Sequence, residues 1–466
     1  MAPAAGAHAR LEGVSPPNGA VEKRAPRLVV FHFEEAVEAR LGSVRVVDSR
    51  GRRVDDGRVF HPAGRGADVA VRLLPDAARG TWTATYEVIS DDGHPVLGGS
   101  DFGIGHTPAA LPAAGMRHMP AAPHTGPVTD AAFGIARGAT YLATALVVGL
   151  LAFLWMVWRP ALDATAGGAG PWARASAAFG TRARRILYVS VELGAIAGLA
   201  GIVLEGATAT GTSFWSAFND HVFRDVTGTR FGGLWAFRLV DFLTLGAVLI
   251  LAAREAVVPQ LRRAALGAEG LAMPRAGPRL ALTLVVPAAA LVVVPALAGH
   301  ATDRLPGLMI PVDSLHVLAM SVWLGGLAAL LAAVPAATRR LGATDANRLL
   351  ASVVLRFSAL ALAAVIVLVG TGVVQALEHV GSWGALTATG YGRAVLVKVG
   401  LTIVLVCLGA VNRRRAVPSI ERVARGDAVG EAPARLLRRA VAAEVLLVIA
   451  VLGVTSALVS YAPPGG

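Results

Sequence analysis

Two hydrophobic rhythms divide the chain. Over roughly the first 105 residues, apolar and polar positions alternate in short runs rich in Val, Thr and aromatic residues, broken by turn signals. The spacing predicts strands at Arg27–Phe33, Ser43–Asp48, Asp68–Leu74 and Gly80–Ser90, with turns at Pro16-Pro17-Asn18-Gly19, Ser49-Arg50-Gly51 and Asp91-Asp92-Gly93. No helical period competes, so an all-β sandwich with one small core is expected. From about residue 131 the rhythm changes to long apolar runs of membrane-spanning length. Eight are expected, at Ala131–Trp158, Ile186–Ala207, Phe231–Ala253, Leu280–Ala298, Val312–Val334, Ser358–Ala376, Gly392–Val411 and Ala440–Tyr461. The fold class is therefore a β-sandwich head, Ig-like or cupredoxin-like, followed by an all-α polytopic membrane domain of eight transmembrane helices.

Composition agrees and adds an orientation. Of 466 residues, 55% are hydrophobic and 16% charged, with a mean hydropathy of +0.59. The net charge of +12 would suit a nucleic-acid binder, but the arginines gather in loops between apolar runs. Twenty-two fall in alternate loops beginning with Arg159 and only three, Arg224, Arg230 and Arg304, in the others. That asymmetry marks the arginine-rich loops as cytoplasmic and places the head and both termini outside the cytoplasmic membrane. The partners expected are a lipid bilayer and no nucleic acid. A single cysteine, Cys407, excludes an intramolecular disulfide framework. Residues 1–7 hold no apolar signal core, yet Ala5-Gly6-Ala7 fits the small-x-small pattern before a signal-peptidase cut. They read as the remnant of a signal peptide or as a start placed too late, with His8 as the mature first residue. A free α-amine beside its imidazole would then make a chelating pair.

Several segments of the head resemble the copper-binding family CopC. They are His8-Ala9-Arg10-Leu11, Ser15-Pro16-Pro17-Asn18-Gly19-Ala20, Phe33-Glu34-Glu35-Ala36-Val37, Gly80-Thr81-Trp82-Thr83-Ala84 and Val88-Ile89-Ser90-Asp91-Asp92-Gly93-His94-Pro95-Val96. The resemblance covers residues 8–105 and implies Cu(II) ligation by His8, Asp92 and His94, with Glu35 as a further ligand in some members. Amine, imidazole and carboxylate suit the tetragonal preference of Cu(II). The tripeptide Asp92-Gly93-His94 taken alone reads equally as a polar turn. Methionine is absent between Met1 and Met116, so the soft Cu(I) site of some relatives is not expected; His32 and His61 read as fold or surface residues. A Pro- and Ala-rich linker, residues 106–130, carries Met116, His118 and Met119. Those could hold Cu(I) in passing, or simply belong to a tether.

The membrane region, residues 131–461, resembles CopD, the membrane partner of CopC, most strongly over 296–415. The carrying segments are Ala298-Gly299-His300-Ala301, Leu315-His316-Val317-Leu318-Ala319, Trp323-Leu324-Gly325-Gly326-Leu327, Arg356-Phe357-Ser358, Thr371-Gly372, Tyr391-Gly392-Arg393 with Lys398, and Asn412-Arg413-Arg414. His221, His300, His316 and His379 all fall towards the outer side. His316 and Met320, four residues apart, share a helix face, and His300 and His316 with Met320 are the expected copper-accepting site. Plain interhelical hydrogen bonding is the alternative reading. Embedded Glu192, Glu205, Arg238, Asp241, Lys398 and Glu444 are candidates for ion pairs that set helix register.

The resemblance implies a non-enzymatic copper importer, with Cu(II) held in the head and Cu(I) or Cu(II) in the membrane domain. No phosphate-binding Walker A loop is present. An external reductase or copper chaperone remains an unnamed partner. Copper sequestration or resistance without translocation, and a haem-binding membrane redox protein, are the competing functions.

Overall fold

The computed structural model describes residues 9–74, 79–90, 95–105, 107, 126–167, 170–209, 214–215, 226, 229–265, 278–297, 306–380, 384–425 and 432–458. The head is a sandwich of two four-stranded sheets, as its alternating pattern requires. Its strands are β1 (Leu11–Ser15), β2 (Val21–Glu22), β3 (Leu28–Phe33), β4 (Glu38–Asp48), β5 (Asp55–Phe60), β6 (Asp68–Leu73), β7 (Gly80–Ile89) and β8 (Pro95–Ile104). One sheet runs β1-β3-β6-β5 and the other β2-β8-β7-β4. Alternate residues Val29, Phe31 and Phe33 of β3 face Trp82, Ala84, Tyr86 and Val88 of β7 across a core closed by Phe102 and Ile104.

All four expected strands are present, and four were missed. β8 was hidden because Gly98-Gly99-Ser100 lacks the branched residues that betray a strand. The structure explains the gap: a Cβ on Gly98 would overlap the ring of Tyr86, its cross-strand partner. That ring packs 4.8 Å from Phe31 and 5.2 Å from Phe33, centroid to centroid. The expected turn after β4 is built by Asp48, whose carboxylate accepts N–H bonds from Arg50 at 2.9 Å and Arg52 at 3.0 Å. Burial alone would push this carboxyl up, but those donors and the Arg52 guanidinium hold it below its ordinary value.

The membrane body comprises eight long helices among the described residues: α1 (Pro127–Thr165), α2 (Gly170–Ala209), α3 (Arg230–Ala265), α4 (Pro278–Leu297), α5 (Pro306–Thr338), α6 (Ala343–Val380), α7 (Gly390–Arg425) and α8 (Ala432–Leu458). Seven contain stretches long and apolar enough to cross a bilayer. The stretch expected at Leu280–Ala298 corresponds to a shorter apolar helix, Thr283–Leu297, carrying Pro287 and Pro295. Several helices outrun their apolar runs. The 40 residues of α2 make a rod of about 60 Å, twice a hydrocarbon core. The expected loop around Arg174–Arg185 is therefore mostly helix. Alanine and arginine are strong helix formers, and hydropathy alone does not separate a polar helix from a loop.

Two π-helical turns interrupt this regularity, Leu154–Trp158 in α1 and Ala329–Ala333 in α5. Each precedes a proline, Pro160 or Pro335, which has no N–H to donate to the ladder. Just ahead of these turns α1 and α5 cross with their backbones touching. A Cβ on Gly149 would strike the Ser321 carbonyl, and one on Gly325 would strike the Gly149 backbone. Gly326 faces the other way and admits the ring of Phe357 from α6. Small residues allowing this approach are the usual basis of helix association in lipid.

Replacing Gly325 by Leu is expected to cost upward of about 3 kcal/mol, because rigid backbone rather than a movable side chain meets the new atoms. Gly370, with nothing within 4 Å of its would-be Cβ, should tolerate Ala and gain up to about 1 kcal/mol of helix propensity. Thermal unfolding of the two variants in detergent measures the contrast.

Candidate metal sites

In the head, strand pairing brings the segments that flank the expected ligands to one end of the sandwich. β1 enters beside the exit of β3, with Leu11 opposite Phe33. Ala9 is buried there, and the Glu34 N–H donates to the Arg10 carbonyl at 3.0 Å. The β3–β4 connection, which carries half-buried Glu35, turns at this same end and delivers Glu38 opposite Ile89 of β7. Ile89 in turn pairs with Pro95 of β8, and Ser90 is buried. His8, Asp92 and His94 themselves lie outside the described residues, as do Met116, His118 and Met119. His32 and His61 are engaged within the fold: the His32 ring Nδ1 lies 2.7 Å from an Asp68 carboxylate oxygen, and His61 Nδ1 donates to the Asp68 carbonyl at 2.8 Å.

In the membrane body, α5 and α6 form a polar seam of two rungs. Asp313 and His316 are three residues apart and share a face of α5 with Met320. Opposite them α6 presents Thr371 and Gln375, four apart. Gln375 Nε2 donates to Asp313 Oδ1 at 2.7 Å, and His316 Nδ1 lies 2.9 Å from Thr371 Oγ1. The direction of the second bond follows from Thr371, whose oxygen also sits 2.7 Å from the Val367 carbonyl. A carbonyl only accepts, so the threonine hydrogen goes to Val367 and the imidazole must supply its own proton at Nδ1. In the neutral ring that leaves Nε2 with its lone pair, the state in which a histidine ligates a metal. Met320, one turn further along, is half-buried against the apolar core.

His316 lies further into its helix than the apolar run suggested. The helix begins at Pro306 rather than Val312, because proline suits a first turn, which puts His316 about 15 Å along the axis. His300 lies outside the described residues. From α7, half-buried Lys398 interacts electrostatically with Asp313 and His316, and Tyr391 with Asp313. Asp313 was missed in the sequence; its spacing from His316 was the available signal. Among the described residues no three His, Cys, Asp or Glu side chains converge on one point.

Comparison with known proteins bears on both halves. Residues 11–105 match the CopC domain, 128–307 the N-terminal domain of copper resistance protein D-like proteins, and 351–458 copper resistance protein D. The chain joins a CopC domain to CopD domains. Copper transport protein CutJ of Bacillus subtilis (strain 168) is 27% identical over 410 residues, 87% of this chain and 68% of that protein. Among solved structures, CopC from Methylosinus trichosporium OB3b is 28% identical over 22% of this chain and 99% of its own, with a TM-score of 0.20. PcoC, a methionine-rich copper resistance protein from Escherichia coli, is 17% identical over 21% of this chain and 98% of its own, with a TM-score of 0.19. The chain is thus a multi-pass membrane protein of the copper resistance and transport families. The matched CopD regions flank residues 308–350, the stretch that contains His316.

Of the other charges expected within the spans, Glu192 is exposed on α2 and the rest lie in buried surroundings. Asn412 donates to Glu444 between α7 and α8. Arg238, 6% exposed, lies over the Trp235 ring at 5.0 Å and interacts with Tyr141 and Glu205. Arg137 of α1, not singled out in the sequence, lies over Phe133 at 4.6 Å. Asp241 is buried, and its Oδ2 has no hydrogen-bond partner among the described residues.

The tautomer is open to direct measurement. Nitrogen-15 spectra of histidine-labelled protein are expected to show His316 neutral with hydrogen on Nδ1. Thr371→Val should shift that signal towards the Nε2–H form, while Thr371→Ser should leave it in place.

Proposed function

We propose that the chain captures Cu(II) outside the cytoplasmic membrane and passes copper to the His316 site for import. In the head, the ligand set is His8, Asp92 and His94, with Glu35 within the same corner. The support is the frame just described: β1 starts, the β3–β4 connection turns, and β7 ends where β8 begins, all at one end of the sandwich. Nitrogen and carboxylate donors suit Cu(II), and the absence of methionine from the head suits capture of the oxidised ion. Met116, His118 and Met119 of the linker are the candidate relay for Cu(I). If the membrane site takes the reduced ion, the electron comes from an external donor.

The observation that carries the membrane half is the oriented imidazole of His316. An ionisable side chain at membrane depth is costly and is by default a functional feature. Here the Nδ1–H is satisfied by Thr371, and Nε2 remains available as a σ-donor. Asp313 lies one turn away on the same face and offsets incoming positive charge. Lys398 opposes a cation at this point, so its interaction with Asp313 tempers an otherwise repulsive neighbour. His300 and Met320 complete the proposed set. Binding by ligand exchange, from head to linker to seam, needs no covalent chemistry and no nucleotide.

Copper uptake into proteoliposomes tests the scheme. His316→Ala is expected to reduce flux at least tenfold at every copper concentration. His94→Ala should lower uptake at limiting copper and approach wild type when copper is abundant. Equal flux in all three proteins would remove both site assignments.

A further inference from the structure

The membrane body repeats itself. Helices α1 and α5 each run through a five-residue π turn into a proline-bearing final segment, with the proline at the second position of that segment in both. Helices α3 and α7 are both 36 residues long. The packing repeats as well. The first helix of each set crosses its counterpart at Gly149 and Gly325. The fourth helix of each set packs on the first helix of the other, α4 on α5 and α8 on α1. The second helix of each packs on the end segment of the other's first helix, α2 against Val334–Thr338 and α6 against Arg159–Thr165. Reciprocal contacts of this kind are what a two-fold axis produces. With four helices per unit, both units enter the membrane from the same side, so the axis runs along the membrane normal.

Superposing the units by these landmarks aligns chemistry. Counting thirteen residues back from the π turn (141 before 154, 316 before 329) reaches Tyr141 in α1 and His316 in α5. The ninth residue is Arg238 in α3 and Lys398 in α7. Each base interacts with its own partner on the first helix, Arg238 with Tyr141 and Lys398 with His316. The neighbouring acid differs in origin: Glu205 comes from α2, whereas Asp313 comes from α5. A phenol is a poor ligand for copper beside an imidazole. A guanidinium, unlike an ammonium, stays charged under all physiological conditions.

We infer that the membrane body is a duplicated four-helix unit whose first copy keeps the frame of the His316 site while Tyr141 and Arg238 bar it to metal. Arg238 serves there as a permanently charged cation, buried over Trp235 and interacting with Glu205, in the position that Lys398 holds in the second unit. Tyr141 and Arg238 thereby restrict copper to one of two equivalent positions. The assignment rests on His316 being a copper ligand, and the experiment separates the two ideas.

Full-length protein is equilibrated with copper, desalted and counted for metal per chain. His316→Ala is expected to lose one equivalent; no loss would remove His316 as a ligand without touching the duplication. Tyr141→His combined with Arg238→Lys is expected to gain one equivalent, and to keep it when His316→Ala is added. A double variant that melts like wild type yet binds no additional copper would overturn the inference. The reciprocal exchange, His316→Tyr with Lys398→Arg, guards against a misfolded gain variant. It should fold with a melting temperature no lower than that of His316→Ala and retain only the copper of the head. Failure of that exchange to fold would show that the two frames are not equivalent, and would equally overturn the inference.

Discussion

The contact between the Gly149 and Gly325 backbones organises the membrane body. Lipid supplies little hydrophobic drive for one helix to prefer another, so association depends on close packing and on a few polar bonds. With no side chain at either position, α1 and α5 approach until main chain meets main chain. Everything else is arranged around that crossing. Gly326 turns its bare face to Phe357 and so brings α6 against α5. Phe153, one turn past Gly149, lies 5.9 Å from the same Phe357 ring and 6.3 Å from Phe179 of α2. The seam of His316 and Asp313 with Thr371 and Gln375 follows from the α5–α6 packing. It is a consequence of where glycine is, as much as of where histidine is.

Polar side chains in this body are expensive, and their partners show how the cost is contained. Interhelical hydrogen bonds in membranes contribute only about 1 kcal/mol each, so the seam does not exist for stability alone. What two rungs accomplish is orientation. Thr371 spends its own hydrogen on its helix and leaves only an acceptor for His316, which sets the imidazole tautomer without any charge. Such outer-sphere control of a ligand is worth 10–100-fold in metal affinity in known sites, as a rough scale. In the head, strand pairing instead gathers the start of β1, the β3–β4 connection and the facing ends of β7 and β8 at one end of the sandwich.

Much of this was legible from the chain itself. Four strands, the turn at Asp48 and the places of the apolar runs followed from periodicity, because burial of one face imposes its own period. Strand β8 did not, since its glycines carry no propensity and exist to admit Tyr86. The polar halves of α2 and α6 did not, since hydropathy registers lipid and is silent on helix. His316 stood out as an imidazole within an apolar run. Asp313 and Arg137, equally embedded, passed unnoticed because each sits among residues that look like the end of a span.

By itself, the order of residues determined which parts meet water and which meet lipid, since that choice depends on local hydrophobicity summed over a strand or a span. It also carried the family likeness of both halves, written in short motifs. Only the tertiary structure decided what those motifs touch. That Thr371 fixes the proton of His316 and that Gly149 meets Gly325 are facts about atoms far apart in the chain. So is the standing of Arg238 in one unit where Lys398 stands in the other. Such relations arise when helices pack, because packing is set by shape at the interface, and no local pattern along a single helix encodes the shape of its neighbour.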